Sequence, residues 1–496
     1  MNDVRQLIVH AGQYLAGRAG LMLLGFLSFP VLTRVLSVPQ YGQLSLALKL
    51  CLLWTVLSKC GIQNAALRFF PEHSKQSPQA KLACSSTLVL SVAAIAGAMM
   101  LLGFVILHIP LLSANRTILA LAPFLLLLAF VRSIQPTLSG LLRSERRTWL
   151  FNTCELSGKA MGILFSVLAL VFVARDLRFY LSGLVAAEAC VLIAIAIWFY
   201  RNGMLSGVTF RPDLARSAVA FSMPLIAYEL TSVILDSGDR LLIGKYLGLT
   251  QVGLYSAAYA VATYAEEALM TPVNMALMPG YMKVWVSDGP EATVRFLSQA
   301  LDLFIMGAGA VAMLVYVNAL DLLSLLASRK FAAASTLLPV LVLGLLVYAI
   351  HIFFNAPLII HKRSMVLTAV TTVCCIANIG MNILLLPHFG IAGAAWATFF
   401  SYVLMVAALA ILSRRYLVIR IPYATLASVA ALVFLIMALM SRASFSSAWL
   451  SLAIKAPASL SLYVVGLLAL RPKLRGRLQA KAQRLFVPRE LSAVEQ

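Results

Sequence analysis

The sequence predicts an all-α, polytopic membrane protein of about fourteen transmembrane helices, arranged as two pseudo-symmetric six-helix lobes followed by two further helices. Three observations lead there. Of the 496 residues, 61% are hydrophobic and 11% are charged, against roughly half and a quarter in a soluble domain. Apolar runs of about 20 residues, each long enough to cross a hydrocarbon core of about 30 Å, recur to the end of the chain. A segment near the start also returns 211 residues later. The composition excludes a soluble enzyme, a DNA-binding domain and a disordered scaffold.

Runs this long satisfy their backbone hydrogen bonds in lipid as helices, because barrel strands would alternate in polarity. The predicted spans lie near 11-35, 42-64, 82-107, 117-141, 153-174, 180-200, 217-244, 252-278, 294-317, 337-360, 365-386, 391-413, 423-440 and 449-470. They group into an N-terminal lobe (1-210), a C-terminal lobe (211-415), a helix pair (416-470) and a basic tail (471-496). In the tail, Leu474, Leu478 and Leu485 recur among lysines and arginines, a pattern expected of a helix lying on anionic headgroups.

The net charge of +21 follows from topology. Lysine and arginine in short loops stay on the cytoplasmic side. Of the 39 basic residues, 24 fall on the side that holds both termini and 8 on the other. Both termini are therefore expected in the cytoplasm, and no nucleic-acid partner is needed to explain the charge. No cleaved signal peptide is expected at the start of the chain. The seven cysteines fall within spans, where they behave as small hydrophobes. The six histidines show no ligand spacing, and no phosphate loop ending in Lys-Ser or Lys-Thr occurs. Neither metal catalysis nor ATP-driven transport is supported, and no cofactor is expected beyond Na+ or H+ as a coupling ion.

The repeat sets Arg34 to Ala47 on Lys245 to Ala258 without a gap. Leu36/Leu247, Gln40/Gln251, Gly42/Gly253, Ser45/Ser256 and Ala47/Ala258 are identical, and Arg34/Lys245 keep the charge. A shorter echo sets Arg147-Thr148 on Arg363-Ser364. A shift of six helices preserves orientation, so the halves are parallel repeats about an axis along the membrane normal. These residues, with Asn64 to Glu72, Met223 to Val261 and the Gly390 to Thr398 stretch, resemble the polysaccharide transporter family, the Wzx-type flippases of lipid-linked oligosaccharides. The resemblance spans nearly the whole chain. It implies two lobes that rock between inward-open and outward-open states without ATP, within a superfamily that also holds multidrug exporters and lipid II flippases.

Ionisable groups at span depth are costly and usually face a cavity or one another. The basic set expected to hold a diphosphate in a central chamber is Arg18, Lys49, Arg132, Lys159 and Arg240. Guanidinium groups suit this task because they stay charged when desolvated and grip phosphate with two bonds. Lys59, near a span end, reads as a headgroup anchor, and Lys159 is within reach of Glu155 one turn earlier. The acidic set lies in the second half. Glu229, Asp236 and Arg240 share a stripe of span 7, where Asp236 can pair with Arg240, and Asp239 is close by. These acids, with Asn378, Asn382 and Thr398, form the expected coupling-cation site. Their spacing is similar to the sodium site of lipid II flippases, except that Asn382 stands where that pattern has a second acid. Tyr255, Tyr259 and Glu266 share a face that suits either sugar rings or bundle packing.

The expected activity is movement of an undecaprenyl-diphosphate-linked oligosaccharide from the cytoplasmic to the periplasmic leaflet of a bacterial inner membrane, with no bond made or broken. Membrane lipids and polysaccharide polymerase or assembly proteins are the expected partners. A cation-coupled drug exporter, a membrane-embedded polymerase or ligase, and a structural partner in an envelope assembly are the rivals. The longest outside segment, about 19 residues near Asn318 to Thr336, is short for a polymerase.

Overall fold

The computed structural model describes residues 2–108, 119–145, 147–205, 209–440, 445, 447–471 and 476, with the side chains of residues 2–16 and 18 outside that description. The expected tail helix and the side chain of Arg18 therefore lie outside the described residues. Among those residues no strand occurs, and eleven helices are long and apolar enough to cross a membrane. Two of them, Leu249–Val317 and Ser364–Ser413, are each cut into two arms by a glycine with positive φ, Gly289 and Gly390. L side chains rarely adopt that backbone region, and Pro290 then starts the second arm of the first pair. With the shorter apolar helix Ala19–Val35, these segments account for the fourteen predicted spans.

The N-terminal lobe contains α1 (Asn2–Val35), α2 (Val38–Lys59), α3 (Ile62–His73), α4 (Pro78–Leu107), α5 (Ala122–Ser144), α6 (Thr148–Leu168) and α7 (Leu177–Arg201). The C-terminal lobe contains α8 (Pro212–Leu247), α9 (Leu249–Val317), α10 (Ala319–Leu326), α11 (Leu338–Ala349), α12 (His351–Ile360) and α13 (Ser364–Ser413). The last pair is α14 (Tyr423–Met440) and α15 (Ala448–Leu470). Span 2 departs from expectation. It stops at Cys60 and Gly61, two consecutive left-handed residues, and α3 follows as a separate helix.

Each lobe packs its own core. Leu138, Leu141, Val191 and Phe199 anchor one cluster of the first lobe, and Leu44, Cys51, Leu128 and Leu181 another. Leu301, Phe304, Leu346, Phe353 and Leu409 belong to the core of the second. The first turns of α8 belong physically to the N-terminal lobe, since Leu214 and Ala218 are buried there. Large apolar side chains such as Leu27, Phe172, Ile376 and Phe434 remain exposed, as a lipid solvent requires. The final pair is fastened by polar contacts. Tyr463 donates to the Met306 carbonyl at 2.7 Å, Ser451 to Asp321 at 2.6 Å, and Arg471 pairs with Asp302 at 3.1 Å.

Candidate functional site between the lobes

The two copies of the repeat meet each other. Ser37 caps α2 through a capping box with Gln40, and Gly248, its equivalent in the second copy, turns the chain into α9 at φ 83°. Both helices thus start at the same end of the bundle and cross there. A Cβ on Gly42 would lie 2.0 Å from the Leu249 carbonyl oxygen, and one on Gly253 would lie 2.2 Å from that of Val38. Gly42 and Gly253 are repeat equivalents, as are Val38 and Leu249, so the contact is reciprocal. Ser45 then donates to its own equivalent, Ser256, at 2.8 Å. The shared glycines allow backbone contact in a setting where the hydrophobic effect does not drive helices together. Around this crossing Arg34 donates to the Leu325 carbonyl at 2.9 Å, Lys330 donates to the Arg34 carbonyl at 2.9 Å, and Tyr41 packs edge-on against Phe331. This end of the bundle is closed.

A seam of ion pairs continues along α2, α3 and α8. Lys49, one turn beyond Ser45, bonds Asp236 at 2.8 Å, and Lys59 pairs with Glu229. Lys59 is therefore an interlobe partner and not a headgroup anchor. Its side chain is only 12% exposed, so the ammonium needs the carboxylate more than it needs bulk water. Ser222 closes the seam by donating to the Gly61 carbonyl at 3.0 Å.

Further along the interlobe space, α1, α5, α6 and α9 line a cavity of about 550 Å³. Lys159 lines it and donates to the Leu21 carbonyl at 2.8 Å; its expected partner Glu155 instead accepts from Ser139 at 2.9 Å. The charge on this lining is mixed and not uniformly basic. Among the described residues, Arg143 and Lys159 face Glu155, Glu266 and Glu267.

The other expected basic residues lie inside single lobes. Arg132 forms a fork to Glu188, with bonds of 2.6 and 2.9 Å between α5 and α7, and it lines none of these cavities. Nothing in the spacing along α5 marks this partner, because Glu188 is 56 residues away. Arg240 is 3% exposed. Its guanidinium reaches the carbonyl of Asp236 at 2.7 Å, lies over the Tyr259 ring at 4.1 Å and pairs with Asp239 at 3.4 Å. The expected Asp236–Arg240 carboxylate pair is thus replaced by Arg240–Asp239, because the Asp236 carboxylate is taken by Lys49 and by Tyr259 at 2.9 Å.

The residues of the expected cation site are in part engaged with one another. Asp239 accepts from Tyr255 at 2.5 Å and from the Arg240 backbone at 2.7 Å. Asn378 donates to Ser401 at 3.2 Å, and Asn382 donates to the Asn378 carbonyl at 2.9 Å; Thr398 is buried beside them on the second arm of α13. Asn382 Oδ1 remains without a partner. A hard cation wants several oxygen ligands at once, and the guanidinium of Arg240 already neutralises the negative charge that Asp239 would offer it. Asn382 Oδ1 and Thr398 Oγ1, both buried and without a partner, are the oxygens of this set left to meet a cation, whereas Asp239 is already paired with Arg240. Among the described residues there is also no cluster of three or more His, Cys, Asp or Glu able to hold a metal.

Two lobes joined by a reciprocal crossing, with a polar cavity between them, define a multi-pass membrane protein of the two-lobed transporter fold. The chain belongs to the family of polysaccharide biosynthesis proteins, whose model matches residues 11–285. Its structure is similar to lipid II flippase MurJ in an inward closed conformation, with a TM-score of 0.73 and 14% identity over 94% of this chain and 99% of that one. It is also similar to a multidrug resistance MATE family transporter in an inward-facing conformation (TM-score 0.67, 12% identity, 79% and 94% covered). The Vibrio cholerae MATE transporter VcmN aligns at a TM-score of 0.56 and 14% identity, with 83% and 96% covered. No curated protein matches the sequence.

Proposed function

We propose that the protein moves a lipid-linked oligosaccharide from the cytoplasmic to the periplasmic leaflet of a bacterial inner membrane by alternating access. One observation carries the reading: in a chain of the polysaccharide biosynthesis family, an interlobe cavity holding Arg143 and Lys159 lies about 20–30 Å along the helices from a crossing that closes one end of the bundle. The loops rich in lysine and arginine support a cytoplasmic position for both termini. The diphosphate of the lipid sits against Lys159 and Arg143 while its tail stays in the bilayer. Lys49 joins it when the seam to Asp236 parts. Outward movement of an anion is assisted by an inside-negative potential, worth about 2.3 kcal/mol per charge at 100 mV. Direction therefore does not depend on a coupling ion. Where an ion is used, Na+ or H+ binds among Asp236, Asp239, Asn378, Asn382 and Thr398 once the lobes part and Lys49 releases Asp236. Partner proteins are those that polymerise or assemble the exported glycan.

Proteoliposomes holding a fluorescent polyprenyl-diphosphate sugar test the reading. Transport is expected in wild type, with a fall of about tenfold in Lys159→Ala or Arg143→Ala, as loss of a charged hydrogen bond implies. Equal rates in liposomes with and without protein refute it. The three carboxylates of the cavity favour one second reading, export of organic cations. Accumulation of a cationic dye in the same proteoliposomes, with no movement of the lipid, would establish that reading instead.

A further inference from the structure

Beyond the charged cavity, two smaller ones lie along α8, of about 420 and about 220 Å³. We propose that together they form a glycan subsite that selects neutral or amine-bearing sugars and rejects acidic ones. The proposal rests on the flippase reading above and names the substrate class for it.

The cavities form a string. Ser232 and Asp236 line both smaller ones, and Glu266 lines both the 220 Å³ cavity and the 550 Å³ cavity that holds Lys159. A headgroup with its diphosphate at Lys159 can therefore extend its sugars past Glu266 toward α8. The helix supplies the surface. Tyr228, Ser232 and Asp236 recur every four residues, which keeps them within about 40° of one another per step on one face.

The chemistry suits sugars. Tyr228 is 36% exposed at the wider cavity, and the narrower one is walled by Tyr348 and Tyr402, whose rings are 4.7 Å apart. Flat aromatic walls with a few placed polar groups are how concave sites hold and orient ligands. Gln63 supplies an independent sign of a ligand. It lines the wider cavity and is 9% exposed; its amide nitrogen lies 3.4 Å from Glu229, and its Oε1 has no partner. A buried acceptor left unpaired is costly and calls for a donor. A sugar hydroxyl or amine is such a donor, whereas a phosphate or carboxylate is not. No Lys or Arg lines either smaller cavity, while Glu229, Asp236 and Glu266 do. Glu229 and Asp236 accept hydrogen bonds from hydroxyl and ammonium groups but have their charge balanced by Lys59 and Lys49, so Glu266 is the carboxylate that repels a uronic or sialic acid in the same place.

Binding to the purified full-length protein in nanodiscs tests this with three probes of one short polyprenyl chain: the bare diphosphate, the diphosphate bearing N-acetylglucosamine, and the diphosphate bearing glucuronic acid. The expected order is N-acetylglucosamine tightest, about tenfold over the bare diphosphate, as one or two good hydrogen bonds provide. The glucuronic acid probe is expected to bind no better than the bare one. Gln63→Ala and Tyr348→Leu should each lose most of the tenfold gain while binding the bare diphosphate as wild type does, and Glu266→Gln should improve binding of the glucuronic acid probe. Equal affinity for the sugar-bearing and bare probes overturns the subsite and leaves the flippase reading standing. Preference for the glucuronic acid probe overturns its selectivity. Failure of all three probes to bind overturns the subsite and the flippase reading together.

Discussion

Gly42→Ala is a small change at the tightest point of contact between the lobes. Its Cβ would sit 2.0 Å from the Leu249 carbonyl oxygen, where real Cβ atoms essentially never come closer than 3.0 Å. The obstacle is backbone, so no rotamer relieves it, and the two helices must part by about 1 Å. Overpacking of this kind costs about 1–3 kcal/mol. In a protein with a second lobe arrangement that separates these helices, the strain acts on the closed state alone and shifts the equilibrium by about 5- to 150-fold. Cross-linking reads that shift. Ser45→Cys and Ser256→Cys, introduced where the two hydroxyls are 2.8 Å apart, should cross-link rapidly in a background whose native cysteines are replaced. Gly42→Ala should slow the reaction by the same factor. Gly253→Ala, at 2.2 Å from the Val38 carbonyl, should act alike, whereas Gly97→Ala, with nothing within 4 Å, should have no effect. If Gly42→Ala cross-links at the wild-type rate in protein that still migrates as a folded monomer, the crossing is not the tight contact described and the reasoning fails.

Three further outcomes are expected. Lys49→Met and Asp236→Asn should each weaken closure by about 0.5–1 kcal/mol, a modest figure because the two side chains are 26% and 45% exposed. The double variant should weaken closure by less than the sum, as a double-mutant cycle on the cross-linking equilibrium will show. Arg132→Met should lower stability by about 3 kcal/mol by stranding Glu188, 14% exposed, without its partner; replacing both by leucine should recover much of the loss in a thermal melt. A variant of Arg132 that halts transport with an unchanged melting temperature would instead place the guanidinium on the substrate. Asp239→Asn should lower the melting temperature by leaving Arg240, 3% exposed, without its carboxylate; an unchanged melting temperature contradicts the reading of this cluster.

Much of the fold was legible because hydrophobic length is a local property. The fourteen spans follow from runs that each had to satisfy lipid, and the order of lobes follows from a repeat that survives as identical residues at a fixed shift. What the local pattern obscured is where a span breaks for backbone reasons. Cys60 and Gly61 both adopt positive φ, and the pair Cys60-Gly61 gives little hint of it in an apolar run. The candidate site was legible only as an inventory. The sequence identified Lys49, Asp236, Asp239, Arg240 and Glu266 as charges inside the membrane, and each engages another group or lines a cavity. It did not identify their partners. Lys159 bonds the Leu21 carbonyl and not Glu155 one turn away, and Lys59 meets Glu229 and not the headgroups. Gln63 drew no notice because a single amide has no pattern, and only its unpaired oxygen at a cavity marks it.

By itself the sequence determined that this chain lives in a membrane, that it is two copies of one bundle with a helix pair added, and which family it resembles, because each of these is written in runs and repeats along one dimension. Which charges neutralise one another, where the two repeat copies touch and what space is left between the lobes were decided only by tertiary structure. Helices 50 or 200 residues apart reach those contacts through the packing of whole lobes, and a Coulomb or hydrogen-bond energy depends on distances in space that no spacing in sequence encodes.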